Sequence, residues 1–93
     1  MALWRIDRTK NETGDKSSAG LYGRVRAGTF TQPVKVGGAR AVGWPSDEVQ
    51  AIVAARVAGK TDDEIRSLVN TLHEQRATRF AELAARLAEP TLQ

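Results

Sequence analysis

Residues 15–28 read Asp15-Lys16-Ser17-Ser18-Ala19-Gly20-Leu21-Tyr22-Gly23-Arg24-Val25-Arg26-Ala27-Gly28, and how this stretch is read decides the fold. Within Asp15-Lys16-Ser17-Ser18 the hydroxyls offer caps for a helix start, and Gly28 is a natural stop after Ala27. Leu21 and Val25 stand one helical turn apart on one face, with Ser18 beneath them. At about 100° per residue the opposite face carries Lys16, Ala19, Gly20, Gly23 and Arg26. A glycine inside a helix costs about 1 kcal/mol relative to alanine. Helix stability alone therefore does not account for Gly20 and Gly23.

Thr29-Phe30-Thr31-Gln32-Pro33 leads into two short alternating runs, Val34-Lys35-Val36 and Ala39-Arg40-Ala41-Val42-Gly43-Trp44, joined through Gly37-Gly38. Glycines supply the positive φ that tight hairpin turns need, so these runs predict a two-stranded β-hairpin. Val34, Val36, Val42 and Trp44 are its expected inward groups, and Lys35 and Arg40 lie outward near the tip.

Before this region, Ala2–Ile6 reads as a short strand or an extended lead-in, with Leu3 and Ile6 as core candidates. Asp7 is a candidate N-cap for a short helix through Thr13 that Gly14 ends, although Arg8–Thr13 holds no Val, Leu, Ile or Phe. After the hairpin, Pro45-Ser46-Asp47-Glu48 opens a third helix, with Ser46 as cap and acids where the helix dipole favours them. Val49, Ile52, Val53 and Val57 form its apolar face, and Gly59 ends it. Thr61-Asp62-Asp63-Glu64 is a capping box for a fourth helix with Ile65, Leu68, Val69 and Leu72 as its stripe. Beyond Arg76, Phe80, Leu83 and Leu87 continue the pattern on a rotated face up to Pro90, as the end of one long helix or as a separate one.

The 93 residues suit one small structural unit with an aliphatic core, since aromatic residues make up only 5%. Cysteine is absent, which excludes disulfides, thiolate metal sites and a cysteine nucleophile and fits a cytoplasmic setting. The longest apolar run, Ala51–Ala55, is far short of the roughly 20 residues of a membrane span. The net charge of +3 divides unevenly: residues 1–44 hold eight basic and three acidic groups, residues 45–93 six basic and eight acidic. A basic N-terminal half points to a polyanionic partner and leaves the other half for packing or assembly.

Two short helices followed by a hairpin make a winged helix-turn-helix, in which the second helix enters the DNA major groove and the wing lies on the neighbouring backbone. The fold class expected is mostly α with a small two-stranded β wing: a DNA-binding unit over residues 1–60, then a C-terminal helical extension over 61–93. Close approach to the groove floor favours small side chains on the leading face, which gives Gly20 and Gly23 a reason.

Gly14 through Gly28, Phe30-x-x-Pro33-Val34-Lys35-Val36-Gly37 and Ala41-Val42-Gly43-Trp44-Pro45-x-x-Glu48-Val49 resemble the AlpA-type prophage regulators, relatives of phage excisionases and of the DNA-binding domain of MerR-type regulators. The resemblance runs on through Ala54–Lys60, Asp62–Arg66, Leu68-Val69 and Leu72-His73. It implies a bacterial mobile-element protein that binds double-stranded DNA. Such a protein acts as a recombination directionality factor that turns an integrase toward excision, as a transcriptional regulator, or as both. Where the family commonly has a β-branched or polar residue and an Arg, this chain has Gly20 and Gly23, so no base contact carries over to them.

The DNA-contact candidates are Lys16, Ser17, Ser18, Gly20, Gly23, Arg24 and Arg26 around the second helix, and Lys35 and Arg40 on the hairpin; Arg5, Arg8 and Lys10 are further phosphate candidates. Phe80, Leu83 and Leu87 are candidates for self-association, head-to-tail on DNA. Tyr22 and Trp44 read as packed residues, while Trp4 suits either core or partner contact. His73, the only histidine, has no Cys or second His beside it, so neither a metal nor a cofactor is expected. No catalytic triad, phosphate loop or dinucleotide fingerprint is present, and enzymatic activity is not expected. The competing class is a protein–protein adaptor that works through the apolar C-terminal helix.

Overall fold

The computed structural model describes residues 2–38 and 40–88. Its elements are β1 (Leu3–Arg5), α1 (Ile6–Thr13), α2 (Ser18–Ala27), β2 (Val34–Gly37), β3 (Ala41–Pro45), α3 (Ser46–Val57) and α4 (Asp62–Ala88). The chain is mostly helical, with four helices and one small antiparallel sheet. That sheet has three strands where the pattern of residues 34–44 gave two: β3 is central, with β1 on one side and β2 on the other. Trp4 pairs with Trp44 across β1 and β3, and Lys35 with Val42 across β2 and β3. The central place of β3 explains Gly43, whose Cβ would stand 3.0 Å from the Trp4 carbonyl oxygen and 3.2 Å from Val36 Cγ1.

At the N-terminal end two expectations are corrected. Leu3 lies on an edge strand and is 48% exposed, so it is not a core group. The helix begins at Ile6, one residue before Asp7, which therefore sits in the first turn and not at the cap. Its buried anchor is a hydroxyl: Thr9 is fully buried and its Oγ1 donates to the Arg5 carbonyl at 3.0 Å. An i−4 backbone bond of this kind satisfies a polar group that burial would otherwise penalise. Gly14, at φ 79°, ends the helix as read.

α2 follows its sequence signals. Ser17 Oγ accepts the Gly20 N–H at 3.0 Å, Gly28 stands at φ 82°, and Leu21 and Val25 are buried. Trp44 is fully buried, with Phe30 edge-on to it and Tyr22 tilted against it, each at 5.9 Å between ring centroids. Its indole Nε1 donates to the Thr31 carbonyl at 2.8 Å.

Pro45 occupies the cap position of α3, and Ser46 does other work. Its Oγ accepts the Ala2 N–H at 3.0 Å and its own N–H donates to the Ala2 carbonyl at 2.7 Å, tying down the start of β1. Val49 and Ile52 are buried and Val53 is half-buried, but Val57 is 83% exposed because the last turn of α3 runs past the core.

α4 opens with the capping box in place: Glu64 Oε1 accepts the Thr61 N–H at 2.9 Å, and Thr61 Oγ1 accepts the Glu64 N–H at 3.2 Å. The helix then runs unbroken for 27 residues. Ile65, Val69 and Leu72 join the same buried cluster as Leu21, Trp44 and Val49, so the core spans both sides of residue 60. Because the helix is continuous, Phe80, Leu83 and Leu87 fall within about 60° of Ile65 around its axis. They extend the core-facing stripe and are not rotated away from it, but all three are exposed. The radius of gyration, 15.2 Å, reflects this projecting helix; a fully compact chain of this length would have about 12 Å. The expected stop at Pro90 lies outside the described residues.

Candidate nucleic-acid interface

With Leu21 and Val25 turned into the core, the opposite side of α2 is open to solvent: Ala19, Gly20 and Arg26 are exposed and Gly23 is half-buried. The two glycines differ. A Cβ at Gly20 would stand 3.3 Å from Ser17 Oγ and 3.8 Å from Asp15 Oδ1, so the cap itself favours glycine there. A Cβ at Gly23 would meet only the Nη2 of Arg26, at 3.9 Å. Nothing described in the fold requires Gly23, although an alanine would stabilise the helix by about 1 kcal/mol.

Lys16 is exposed just before the cap. Ser17 uses an oxygen lone pair in the cap and keeps its O–H as a donor. Ser18 is half-buried under Leu21 and Val25. Arg24 flanks the apolar face and pairs with Asp15 at 3.2 Å. The Asp15 carboxylate is only 8% exposed and lies 2.8 Å from Thr13 Oγ1. Thr13, Asp15 and Arg24 thus staple the turn between α1 and α2 and fix the direction of the Arg24 guanidinium.

On the hairpin, Lys35 and Arg40 are both exposed. Of the other N-terminal cations, Arg8 pairs with Glu12 at 2.9 Å and covers the Trp4 ring at 4.5 Å, while Lys10 lies 3.6 Å from Asp7. Trp4 is accordingly half-buried, packed against the core on one side and capped by a guanidinium on the other.

Ion pairing differs between the halves: Arg8, Lys10 and Arg24 are the paired cations of the N-terminal half. Arg56, Lys60, Arg66, Arg76 and Arg79 in the C-terminal half all pair with carboxylates. Among the described residues, Arg5, Lys16, Arg26, Lys35, Arg40 and Arg86 have no acidic group within ion-pair distance. Four of these six are main DNA-contact candidates from the sequence, and a fifth, Arg5, is one of the further phosphate candidates.

Sequence reasoning missed the residues that hold the hairpin root. Glu48 is 2% exposed, and its carboxylate accepts from Arg76 Nε at 2.8 Å and Nη2 at 2.6 Å. Arg76 Nη2 also donates to the Gln32 carbonyl at 2.7 Å, and His73 Nε2 accepts the Gln32 N–H at 3.0 Å. Burial, reinforced by the nearby Arg76 charge and opposed by Glu48, holds the His73 imidazole below its ordinary pKa. Arg66 Nε donates to the Ala27 carbonyl at the end of α2, at 2.9 Å. These partners lie 28 to 44 residues apart in sequence, and no local pattern marks them.

The chain matches no family model, no curated protein and no solved structure. Among the described residues no cluster of His, Cys, Asp or Glu is arranged to hold a metal ion, and no helix is long and apolar enough to cross a membrane. An apolar groove of about 330 Å³ runs between the hairpin root and α4, lined by Val34, Pro45, Glu48, Arg76, Arg79, Phe80 and Leu83.

Proposed function

We propose that this protein is a sequence-specific double-stranded DNA-binding protein built as a winged helix-turn-helix. In this reading the outer face of α2 enters the major groove and the β2–β3 ribbon lies on the adjacent backbone. The observation that carries it is the distribution of unpaired cations. Lys16, Arg26, Lys35 and Arg40 are solvent-facing without carboxylate partners among the described residues, while the C-terminal arginines are mostly paired within the fold. Leaving cations unpaired on one segment is what phosphate neutralisation needs. Gly23 adds to this, because a bare helix face that the fold does not explain suits close approach to base edges.

The role we assign is that of a mobile-element protein of the AlpA type, acting as a recombination directionality factor, a transcriptional regulator, or both. It performs no covalent chemistry. One module of this size buries about 600–1,000 Å² and binds weakly alone, so useful affinity calls for neighbouring copies on DNA. Phe80, Leu83 and Leu87 are the groups we assign to contacts between copies.

Salt dependence of duplex binding tests the reading. About five phosphate contacts, from those four cations and Arg24, predict a slope of roughly −4 to −5 in log affinity against log salt. The exposure of Phe80 (72%), Leu83 (50%) and Leu87 (78%) favours a second reading, a protein–protein adaptor. A salt-insensitive or absent interaction with duplex would support the adaptor. An excision assay with the cognate integrase separates the two DNA roles: stimulation supports the directionality factor, and its absence with promoter binding retained supports the regulator.

A further inference from the structure

Gln32 lies in the connection between α2 and the ribbon, two residues before β2 begins, and α4 takes both of its backbone polar groups. Its N–H donates to His73 Nε2 and its carbonyl accepts from Arg76 Nη2. Arg76 is in turn fixed by both carboxylate oxygens of the buried Glu48 on α3. One residue earlier, the Thr31 carbonyl is fixed by the Trp44 indole. The root of the ribbon is thus held on two sides by groups far away in sequence.

We propose that His73 and Arg76 are positioning residues for the ribbon: by gripping the backbone of Gln32 they set where β2 stands relative to α2, and the His73 half of the grip holds only while the imidazole is neutral. The chemistry is direct. A neutral imidazole offers Nε2 as an acceptor when its proton is on Nδ1, whereas an imidazolium carries protons on both nitrogens. Protonation would set an N–H of His73 against the N–H of Gln32, donor to donor, and the contact would open. The charges facing the ring are Arg76 on its own helix and Glu48 on α3, while the α2–β2 connection meets it through the Gln32 N–H. Arg76 opposes protonation and Glu48 favours it, and burial adds to the opposition. The ring is therefore neutral near neutral pH and charges only on acidification.

For DNA binding the consequence rests on the proposed function above, and its sign is informative. A new positive charge beside a polyanion would by itself tighten binding at acidic pH. Loss of ribbon placement predicts the opposite. Because His73 is the only histidine, no other side chain of ordinary pKa titrates in this window.

The test uses the full ¹⁵N-labelled chain and its His73→Gln variant, whose amide oxygen can accept the Gln32 N–H without titrating. Near pH 7.5 a scalar coupling across the hydrogen bond joins the Gln32 amide nitrogen to His73 Nε2. On acidification that coupling vanishes and the Val34–Gly37 amide shifts move with the His73 titration, whereas the same amides in His73→Gln stay fixed. Duplex affinity of the parent chain falls about three- to tenfold over the same range, the factor expected for one hydrogen bond of modest net strength. The affinity of His73→Gln falls much less. Absence of the coupling near neutral pH, or ribbon shifts that titrate equally in His73→Gln, overturns the grip. Affinity that rises or stays level as His73 charges overturns the positioning role. A chain that binds no duplex at any pH overturns the DNA reading, and the coupling measurement still decides the grip.

Discussion

Glu48 and Arg76, on neighbouring helices, form a two-point ion pair in which the carboxylate is almost wholly buried. A carboxylate in that position is tolerable only while both of its oxygens are occupied. Arg76→Met therefore strands a buried charge and should cost about 3–5 kcal/mol in urea unfolding. The double variant with Glu48→Gln removes the stranded charge and should recover a substantial part of that loss. A double variant no more stable than the single one would show that the pair is not what holds α4 to α3.

Acid should destabilise the fold in two steps. The His73 pKa is lowered in the folded state, so below about 6.5 the unfolded chain binds more protons and stability falls with pH. Asp62 and Glu64 are also lowered, Asp62 by its hydrogen bond to Arg56 and Glu64 by the Thr61 backbone N–H. Their contribution is full above the ordinary carboxylate range and is lost as pH drops through it. Urea midpoints measured across pH should show the upper step removed in His73→Gln and the lower one reduced in Glu64→Gln.

Gly43→Ala should be strongly disruptive. The added methyl meets backbone of one flanking strand at 3.0 Å and a valine side chain of the other at 3.2 Å, so both neighbours must give way. A loss of about 1–3 kcal/mol is expected for such overpacking. Thermal unfolding measures it, and a neutral result would contradict the three-stranded register.

Thr31 offers the opposite case. It is fully buried, and its Oγ1 has no hydrogen-bond partner among the described residues. Thr31→Val keeps the shape and removes the stranded hydroxyl, so stability should rise by about 1 kcal/mol. A clear loss of stability would show that the hydroxyl is satisfied in solution.

Local chemistry made much of this architecture legible in advance. The caps at Ser17 and Thr61, the stops at Gly14 and Gly28, and the apolar faces of α2 and α4 each depend on residues within one or two turns, and each stands where the sequence put it. Features specified at a distance showed less fully: residues 2–6 left a strand and an extended lead-in both open. β1 is a strand only because β3 accepts it, and the burial of Glu48 and Thr9 depends on partners elsewhere in the chain or on backbone oxygens. Ser46 carries a good cap signal yet binds Ala2, since tertiary contact outcompetes the local option. The outward setting of Lys16, Arg26, Lys35 and Arg40 was legible for the same local reason, whereas the pairing of Arg24 with Asp15 was not foreseen. The grip on Gln32 was not, because neither His73 nor Arg76 has a partner there that spacing could suggest.

The most direct measurement compares Gly23→Ala with Gly23→Glu in stability and duplex affinity. The fold leaves room at this position, so both variants should fold, the alanine form more stable than the parent by up to about 1 kcal/mol. If α2 faces the groove, Gly23→Glu places a carboxylate against base edges and phosphates and abolishes duplex binding while the structure stays intact. Tight duplex binding by a well-folded Gly23→Glu protein would contradict the placement of α2 and the DNA-binding account built on it.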